Sequence, residues 1–296
     1  MSRPRVSVLL PVRNGGRDLL MAVWSVLGQS LEDWELLVLD DASTDGALSA
    51  LARTNDARVR ILRDGTHRGL AARLNQGLDL AQGEFIARMD HDDIAFPLRL
   101  KRQVERLEDQ REIDLLGTRA LVFDRNGTPM GLFPFRQEHG EICRRPWLGF
   151  YLPHPTWMGR ADWFRRHKYR IPEPRRAEDQ DLLLRSYTSS RFACLPEVLL
   201  GYRIGNASIG KVLTAHASAG RSQLREHLRR RRPGLALLGA GASIAKAGAN
   251  VAKAAAGRTL YTARGLERPV ESGISAEWAR LWQAANAWAE STLAAR

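Results

Sequence analysis

The sequence predicts an α/β fold: a mostly parallel sheet flanked by helices, with an α-helical C-terminal extension. Two observations carry this. Through residue 110, apolar β-rich runs alternate with helix-length amphipathic segments, and two of those runs end in carboxylates. From residue 211 onward the composition shifts to Arg, Ala and Trp. Strands alternating with helices require right-handed crossovers and hence parallel pairing.

The elements follow in order. VSVLLPV (6–12) is a buried strand. It is not read as a signal peptide, because its apolar run is short and lacks a small-residue cleavage site. GRDLLMAVWSVLGQS (16–30) carries apolar residues at helical spacing and ends near Gly28. WELLVLDD (34–41) is a second strand, and STDGALSALART (43–54) is a helix opened by a capping candidate. VRILRD (59–64) is a third strand, GLAARLNQGLDLAQG (69–83) a helix closed by Gly83, and EFIARMD (84–90) a fourth strand. PLRLKRQVERLEDQ (97–110) is a helix, and residues 114–133 form a strand and a hairpin around Asn126-Gly127. The stretches 152–169 and 175–190 bring in His154, Glu178, Asp179 and Asp181; 192–204 reads as a last strand pair. The boundary between the first domain (1–210) and the extension (211–296) is expected near residue 210.

With 44% hydrophobic and 26% charged residues, the chain can build an ordinary globular core. Cys143 and Cys194 are too few for a disulfide framework and lack metal-ligand spacing, so both are expected as buried thiols in a reducing cytoplasm. No window reaches about 18 uninterrupted apolar residues; the nearest, 235–257, is mostly Ala and Gly and carries Lys246 and Lys253. A net charge of +12 makes an acidic partner plausible. Residues 221–296 concentrate it, with 13 Lys/Arg against 5 Asp/Glu. In 275–295, Trp278, Leu281, Trp282 and Ala285 share one helical face. Two readings of this tail stand: an element lying on an anionic membrane surface, or helices packed on the first domain or on a second subunit of a homodimer.

Three carboxylates crowd into DHDD, at 90–93. In open parallel sheets ligands bind outside the carboxyl ends of the strands, so Asp41 and this cluster should face one crevice. Hard oxygen ligands suit Mg2+ or Mn2+ bridging to phosphates. A capped or solvated turn is the alternative, with Asp93 capping the helix around Pro97.

VSVLLPVRNGG, LLVLDDASTDG, GLAARLNQGLDLAQGEFIARMDHDDIAFPLRLKRQV and AEDQDLLLR resemble, in order and spacing, the inverting family 2 glycosyltransferases of bacterial polysaccharide biosynthesis. The resemblance covers residues 5–205 and implies a glycosyltransferase A-type fold. It implies transfer of a sugar from a nucleoside-diphosphate-sugar, with UDP the expected nucleotide, to a saccharide or lipid-linked saccharide hydroxyl. Pro11, Arg13, Asn14, Asp41 and Arg73 would line the nucleotide pocket. Asp90 would face the ribose or metal and Asp92 would ligate the metal, with the His91 side chain pointing away. Asp179 would be the general base, since an attacking hydroxyl must lose its proton. Glu178 would support it, and Asp181 fits a helix cap better. His154 would touch the acceptor or the diphosphate, or be structural. Arg203 and Ser208 of YRIGNAS would cover the diphosphate.

The QXXRW motif of processive synthases in that family is missing, so single additions are expected. A sugar nucleotidyltransferase would need a different Gly-rich loop after the first strand. A nucleic-acid-binding protein would show a recognisable module, and none is present. The expected location is cytoplasmic, peripheral on the inner face of the cell membrane.

Overall fold

The computed structural model describes residues 3–172, 176–205, 208–256, 266, 267 and 269–295. The alternation read in the sequence becomes β1 (Val6–Val12), α1 (Gly16–Leu27), β2 (Trp34–Asp40), α2 (Ala47–Ala52), β3 (Val59–Leu62), α3 (Leu70–Leu80) and β4 (Phe85–Arg88). There follow β5 (Ile94–Ala95), α4 (Arg99–Asp109), β6 (Leu115–Phe123), β7 (Pro129–Leu132), α5 (His139–Ile142), β8 (Met158–Arg160), α6 (Ala161–Arg166) and α7 (Glu178–Ser186). The chain continues through β9 (Phe192–Arg203), α8 (Ile209–Arg229), α9 (Pro233–Ala255) and α10 (Ser272–Ala294).

One sheet runs β3-β2-β1-β4-β8-β6-β9-β5, with β7 on β6. β1 through β4 pair in parallel. β8 is antiparallel to both β4 and β6, and β6 and β9 are parallel. Side chains alternate faces along a strand, and β1 and β2 use both: Val8, Leu10, Leu36 and Val38 join the core under α1, while Leu9, Leu37 and Leu39 join the core under α3. Burial on both faces is why these strands read as continuous apolar runs.

Three local expectations are corrected. Ser43 does not cap α2, whose N-cap is Gly46 in the left-handed region. Gly83 does not close α3: a Cβ there would lie 2.5 Å from the Ser7 backbone nitrogen, so its glycine serves the close approach to β1. Residues 192–204 form one long strand, not a pair; its register against β6 slips near Thr118 and Arg119, leaving Pro196 and Glu197 exposed. The 235–257 stretch, whose lysines argue against a span, falls largely in α9, the one helix among the described residues long and apolar enough to cross a membrane.

The tryptophan face of α10 covers the sheet. Trp278 is 1% exposed and stacks on Phe123 with centroids 4.5 Å apart, while its Nε1 donates to the Gly127 carbonyl at 2.7 Å. Arg17 pairs with Glu290 at 2.6 Å and Arg53 donates to the Thr292 carbonyl at 3.1 Å, fastening α10 over α1 and α2.

Candidate active site

Two loops at the carboxyl ends of β1 and β2 are stitched together. Asn14 sits at φ 53°, which Asn tolerates better than most residues. Its backbone N–H donates to Ser43 Oγ at 2.9 Å, and its Oδ1 accepts from the Thr44 N–H at 2.8 Å. Pro11 is buried at the end of β1, in register with Leu39. Asp41 accepts from the Arg68 N–H (2.7 Å), the Gly69 N–H (3.2 Å) and Arg73 Nε (3.1 Å). His67 Nδ1 lies 2.6 Å from its other oxygen, and Arg13 Nη1 lies 3.0 Å from His67 Nε2. Because the Asp41 carboxylate can only accept, His67 Nδ1 donates its proton to it. Burial would raise the Asp41 pKa, but the Arg68 N–H and the Arg73 and His67 side chains together hold it below the ordinary carboxylate value. Arg73 is fully buried and also pairs with Asp64 at 2.6 Å and Gln76 at 2.8 Å.

The acidic turn follows β4. Arg88, 3% exposed, ends that strand, and its Nη2 lies 2.5 Å from Asp90 Oδ1; its Nε and Nη1 have no hydrogen-bond partner among the described residues. Asp93 accepts from the Arg203 N–H at 2.8 Å, and Arg203 Nε donates to the Asp92 carbonyl at 2.9 Å. The Arg203 guanidinium continues to Asp18 at 2.9 Å and lies over the rings of Phe123 and Trp282, 5.0 and 5.4 Å from their centroids. Burial, and then repulsion from Asp90, raises the Asp92 pKa; burial, and then Asp92 and Asp90, raises that of Asp93 further. The His91 ring packs against the β1 loop: its Cδ2 lies 3.0 Å from where a Cβ on Gly15 would stand.

The start of α7 is electrostatically linked to this turn. His154 Nε2 is 2.6 Å from the Tyr169 hydroxyl, and its Nδ1 is 3.8 Å from Glu178 Oε1. Burial, reinforced by Arg88, pushes the His154 pKa well down, so the ring is neutral. Burial and the neighbouring Asp179 push the Glu178 carboxyl up to about 7. Gln180 holds Asp179 in place: its Nε2 is 3.4 Å from Asp179 Oδ2, and its Oε1 accepts from the Phe150 N–H at 2.8 Å. Arg88 and Asp90 act electrostatically on both Glu178 and Tyr169, and Asp179 acts on both as well. The acidic turn and the α7 start thus converge on one charged cluster.

The sequence profile described as Glycosyl transferase family 2 matches residues 7–168, more than half of the chain. The chain belongs to the family 2 glycosyltransferases. It is 40% identical over 192 residues to EpsE of Bacillus subtilis (strain 168), provisionally named a glycosyltransferase; the match spans 63% of this chain and 68% of EpsE. Over 99 residues it is 35% identical to an Escherichia coli UDP-Glc:alpha-D-GlcNAc-diphosphoundecaprenol beta-1,3-glucosyltransferase, WfgD, covering 33% of this chain and 39% of that one. Among solved structures it superposes on S. aureus TarS 1-349 in complex with UDP-GlcNAc, with a TM-score of 0.59 at 19% identity over 79% and 71% of the two chains. The mannosyltransferase PcManGT from Pyrobaculum calidifontis, in complex with GDP-Man and Mn2+, also gives 0.59 at 18% identity over 99% and 87%. The fold is therefore the glycosyltransferase A type.

In this glycosyltransferase several expected roles change. Asp93 does not cap a helix; it anchors β9 through Arg203, and α4 begins after Leu98 without a side-chain cap. Asp181 is buried between Arg170 and Arg185 at 3.0 and 2.9 Å rather than capping α7, whose N-cap is Ala177. Arg203 is engaged by Asp18, the Asp92 carbonyl and two aromatic rings, so it braces the acidic turn. His91 packs on Gly15 of the β1 loop. Ser208 caps α8; Asn206 and Ala207 lie outside the described residues. Sequence reasoning does not find His67, Asp64, Arg88 or Tyr169. Arg88 alone carries a visible signal: a charge in a strand otherwise buried on both faces.

Proposed function

We propose that this glycosyltransferase moves a sugar from a nucleoside-diphosphate-sugar to a hydroxyl acceptor with inversion, using Asp179 as base. The supporting observation is the cluster in which Asp90, Arg88, Tyr169, Glu178 and Asp179 act on one another. UDP is the proposed nucleotide, by likeness to WfgD and TarS. A saccharide or lipid-linked saccharide made for a cell-surface polysaccharide is the proposed acceptor, as for WfgD and for the O-antigen biosynthesis glycosyltransferase WbnJ of Escherichia coli, 26% identical over 234 residues. The proposed location is the cytoplasmic face of the membrane.

Mg2+ or Mn2+ is the proposed cofactor, and the donor set fits it. Among the described residues no three Asp, Glu, His or Cys side chains converge as a finished cage. Such ions, however, are held by one or two carboxylates together with substrate phosphates. Asp90 and Asp92 supply two hard oxygen ligands whose mutual repulsion raises the Asp92 pKa, a repulsion that a cation relieves. When bound, the ion neutralises charge developing on the departing diphosphate.

The chain's own residues do the rest. The acceptor oxygen forms a bond to the anomeric carbon as the bond from that carbon to the diphosphate oxygen breaks, and its electron pair leaves with the nucleoside diphosphate. Asp179, held by Gln180, accepts the hydroxyl proton. Burial and the neighbouring Asp179 raise the Glu178 carboxyl to about 7, so it is partly protonated at neutrality, which limits repulsion at the α7 start. Neutral His154, bonded to Tyr169, adds no positive charge against the acceptor. Asp41, Arg73, His67 and Arg13 form the wall on which the nucleotide rests.

A thermal-shift panel of UDP, GDP and dTDP with and without Mn2+ tests the donor, because ligands that bind the folded state stabilise it by mass action. A UDP shift that needs Mn2+ and is lost in Asp92→Ala supports the reading; a metal-independent shift overturns the cofactor assignment. Asp179→Asn should keep that shift and lose transfer by about 10²–10⁴-fold. Full activity in Asp179→Asn would remove Asp179 from the mechanism.

A further inference from the structure

One face of α9 is apolar and exposed. Leu237, Leu238, Ile244 and Val251 are 71, 55, 73 and 46% exposed, and Gly241 and Gly248 are exposed between them. At 100° per residue these six positions form a single stripe, with Lys246 and Lys253 on the opposite side. Only 11% of the helix's most apolar window is buried, so this is not a core helix. A soluble surface rarely leaves such a face open without a partner.

Charge identifies the partner. Residues 209–256 hold nine Lys/Arg and a single acid, Glu226, which Arg229 and Arg230 already neutralise at 2.7 Å. Arg221 and Arg225 are exposed on α8, and Arg231 and Arg232 are exposed at the α8–α9 turn. A second copy would bring the same positive charge against this surface, whereas an anionic bilayer complements both the charge and the apolar stripe.

The opposite face of α9 is committed to the protein. Ala236, Gly239 and Ser243 are buried; a Cβ on Gly239 would stand 2.7 Å from Gln223 Cβ, and one on Gly220 would stand 3.2 Å from Ser243 Cβ, so small residues let α8 and α9 approach closely. Lys246 bonds the Leu148 carbonyl, and Gln223 Nε2 donates to the Pro146 carbonyl at 2.8 Å. A helix held along one side in this way lies in the plane of a surface rather than through it.

We propose that α9 docks on anionic phospholipid, with the Leu237–Val251 stripe at the headgroup boundary and the arginines of the α8–α9 turn on lipid phosphates. The segment bearing Pro146 and Leu148 runs on to Phe150, which holds Gln180 beside Asp179. Docking therefore presents the α7 end of the site toward an acceptor tethered in the same bilayer. That consequence rests on the transferase reading given above; the docking itself does not.

The test uses the full-length protein, floated on vesicles of phosphatidylcholine with and without phosphatidylglycerol. Flotation should require phosphatidylglycerol, weaken with added salt, and fall at least about tenfold in a Leu237→Gln/Ile244→Gln double variant. Arg231→Glu/Arg232→Glu should reduce it as well. Both variants should keep the wild-type nucleotide thermal shift, which separates a failed docking surface from a failed donor reading. The proposal is overturned by undiminished flotation of the Leu237→Gln/Ile244→Gln protein, by no flotation at all, or by equal binding to phosphatidylcholine alone. It is also overturned by a dimer that the same double variant dissolves, or by carbonate-resistant insertion, which would mean a spanning helix.

Discussion

Arg88 illustrates how much one buried cation can hold. It ends β4 among Asp90, Glu178, His154 and Tyr169, and Asp90 is its close partner. Arg88→Met should cost about 1–3 kcal/mol in urea unfolding, because it leaves the half-buried Asp90 without its partner. Asp90→Asn in the same chain should recover at least about 1 kcal/mol of that by removing the stranded charge. Glu178 gives a pH signature. Its folded-state pKa of about 7 lies above the ordinary 4.5, so between those values the unfolded chain sheds a proton that the folded protein keeps. Stability therefore falls as pH rises through that window. Glu178→Gln removes the penalty, and its melting temperature should gain on wild type from pH 5 to pH 8, by about 2–4 °C for each kcal/mol relieved. A gain that is flat with pH would contradict the assigned shift. The aspartates at 41, 90 and 92 are legible in the sequence, because carboxylates gathered at the end of a buried strand are costly unless a cation or a donor meets them; the EDQD run stands out only through the family resemblance. His67 and Tyr169 are not, because their partners, Asp41 and His154, lie 26 and 15 residues away and only the fold brings them together.

At the level of elements, α10 is the finding that periodicity alone could not decide. A face of Trp278, Trp282 and Ala285 fits a bilayer or a core equally well in sequence. The outcome is set by glycines in other elements. A Cβ on Gly201 of β9 would stand 2.2 Å from Trp278, and one on Gly127, at φ 83°, would stand 2.2 Å from Trp282. Gly201→Ala should therefore loosen α10, read as faster amide exchange in 272–294 and a lower melting temperature. Trp278→Ala should cost about 3–5 kcal/mol by leaving a cavity against Phe96 and Phe123. The βα alternation through α4 is readable because each strand is short, apolar and closed by turn chemistry. The bent β9 is not, because a register slip depends on its partner β6 rather than on its own residues.

On the scale of the whole molecule, the basic surplus is spread unevenly. The α8–α9 hairpin carries much of it and reaches the site through Arg230, which donates to the Leu184 and Arg185 carbonyls at the end of α7. The last helix instead belongs to the core of the sheet. Removal of residues 221–296 is thus not a neutral way to test the tail: it strips the cover from Phe96 and Phe123, and the truncated protein should melt well below the full chain and lose nucleotide binding with its fold. Substitutions on the exposed stripe of α9 avoid that confusion.

The stack of Arg203 on Trp282 has a temporal consequence. The guanidinium that steadies the aspartate loop borrows one of its two rings from a residue 79 positions later in the chain. A polypeptide still threading from the ribosome, with residue 282 not yet emerged, has every acidic group of the centre yet lacks one ring of that brace. Competence should therefore wait until residue 282 has emerged rather than build up gradually.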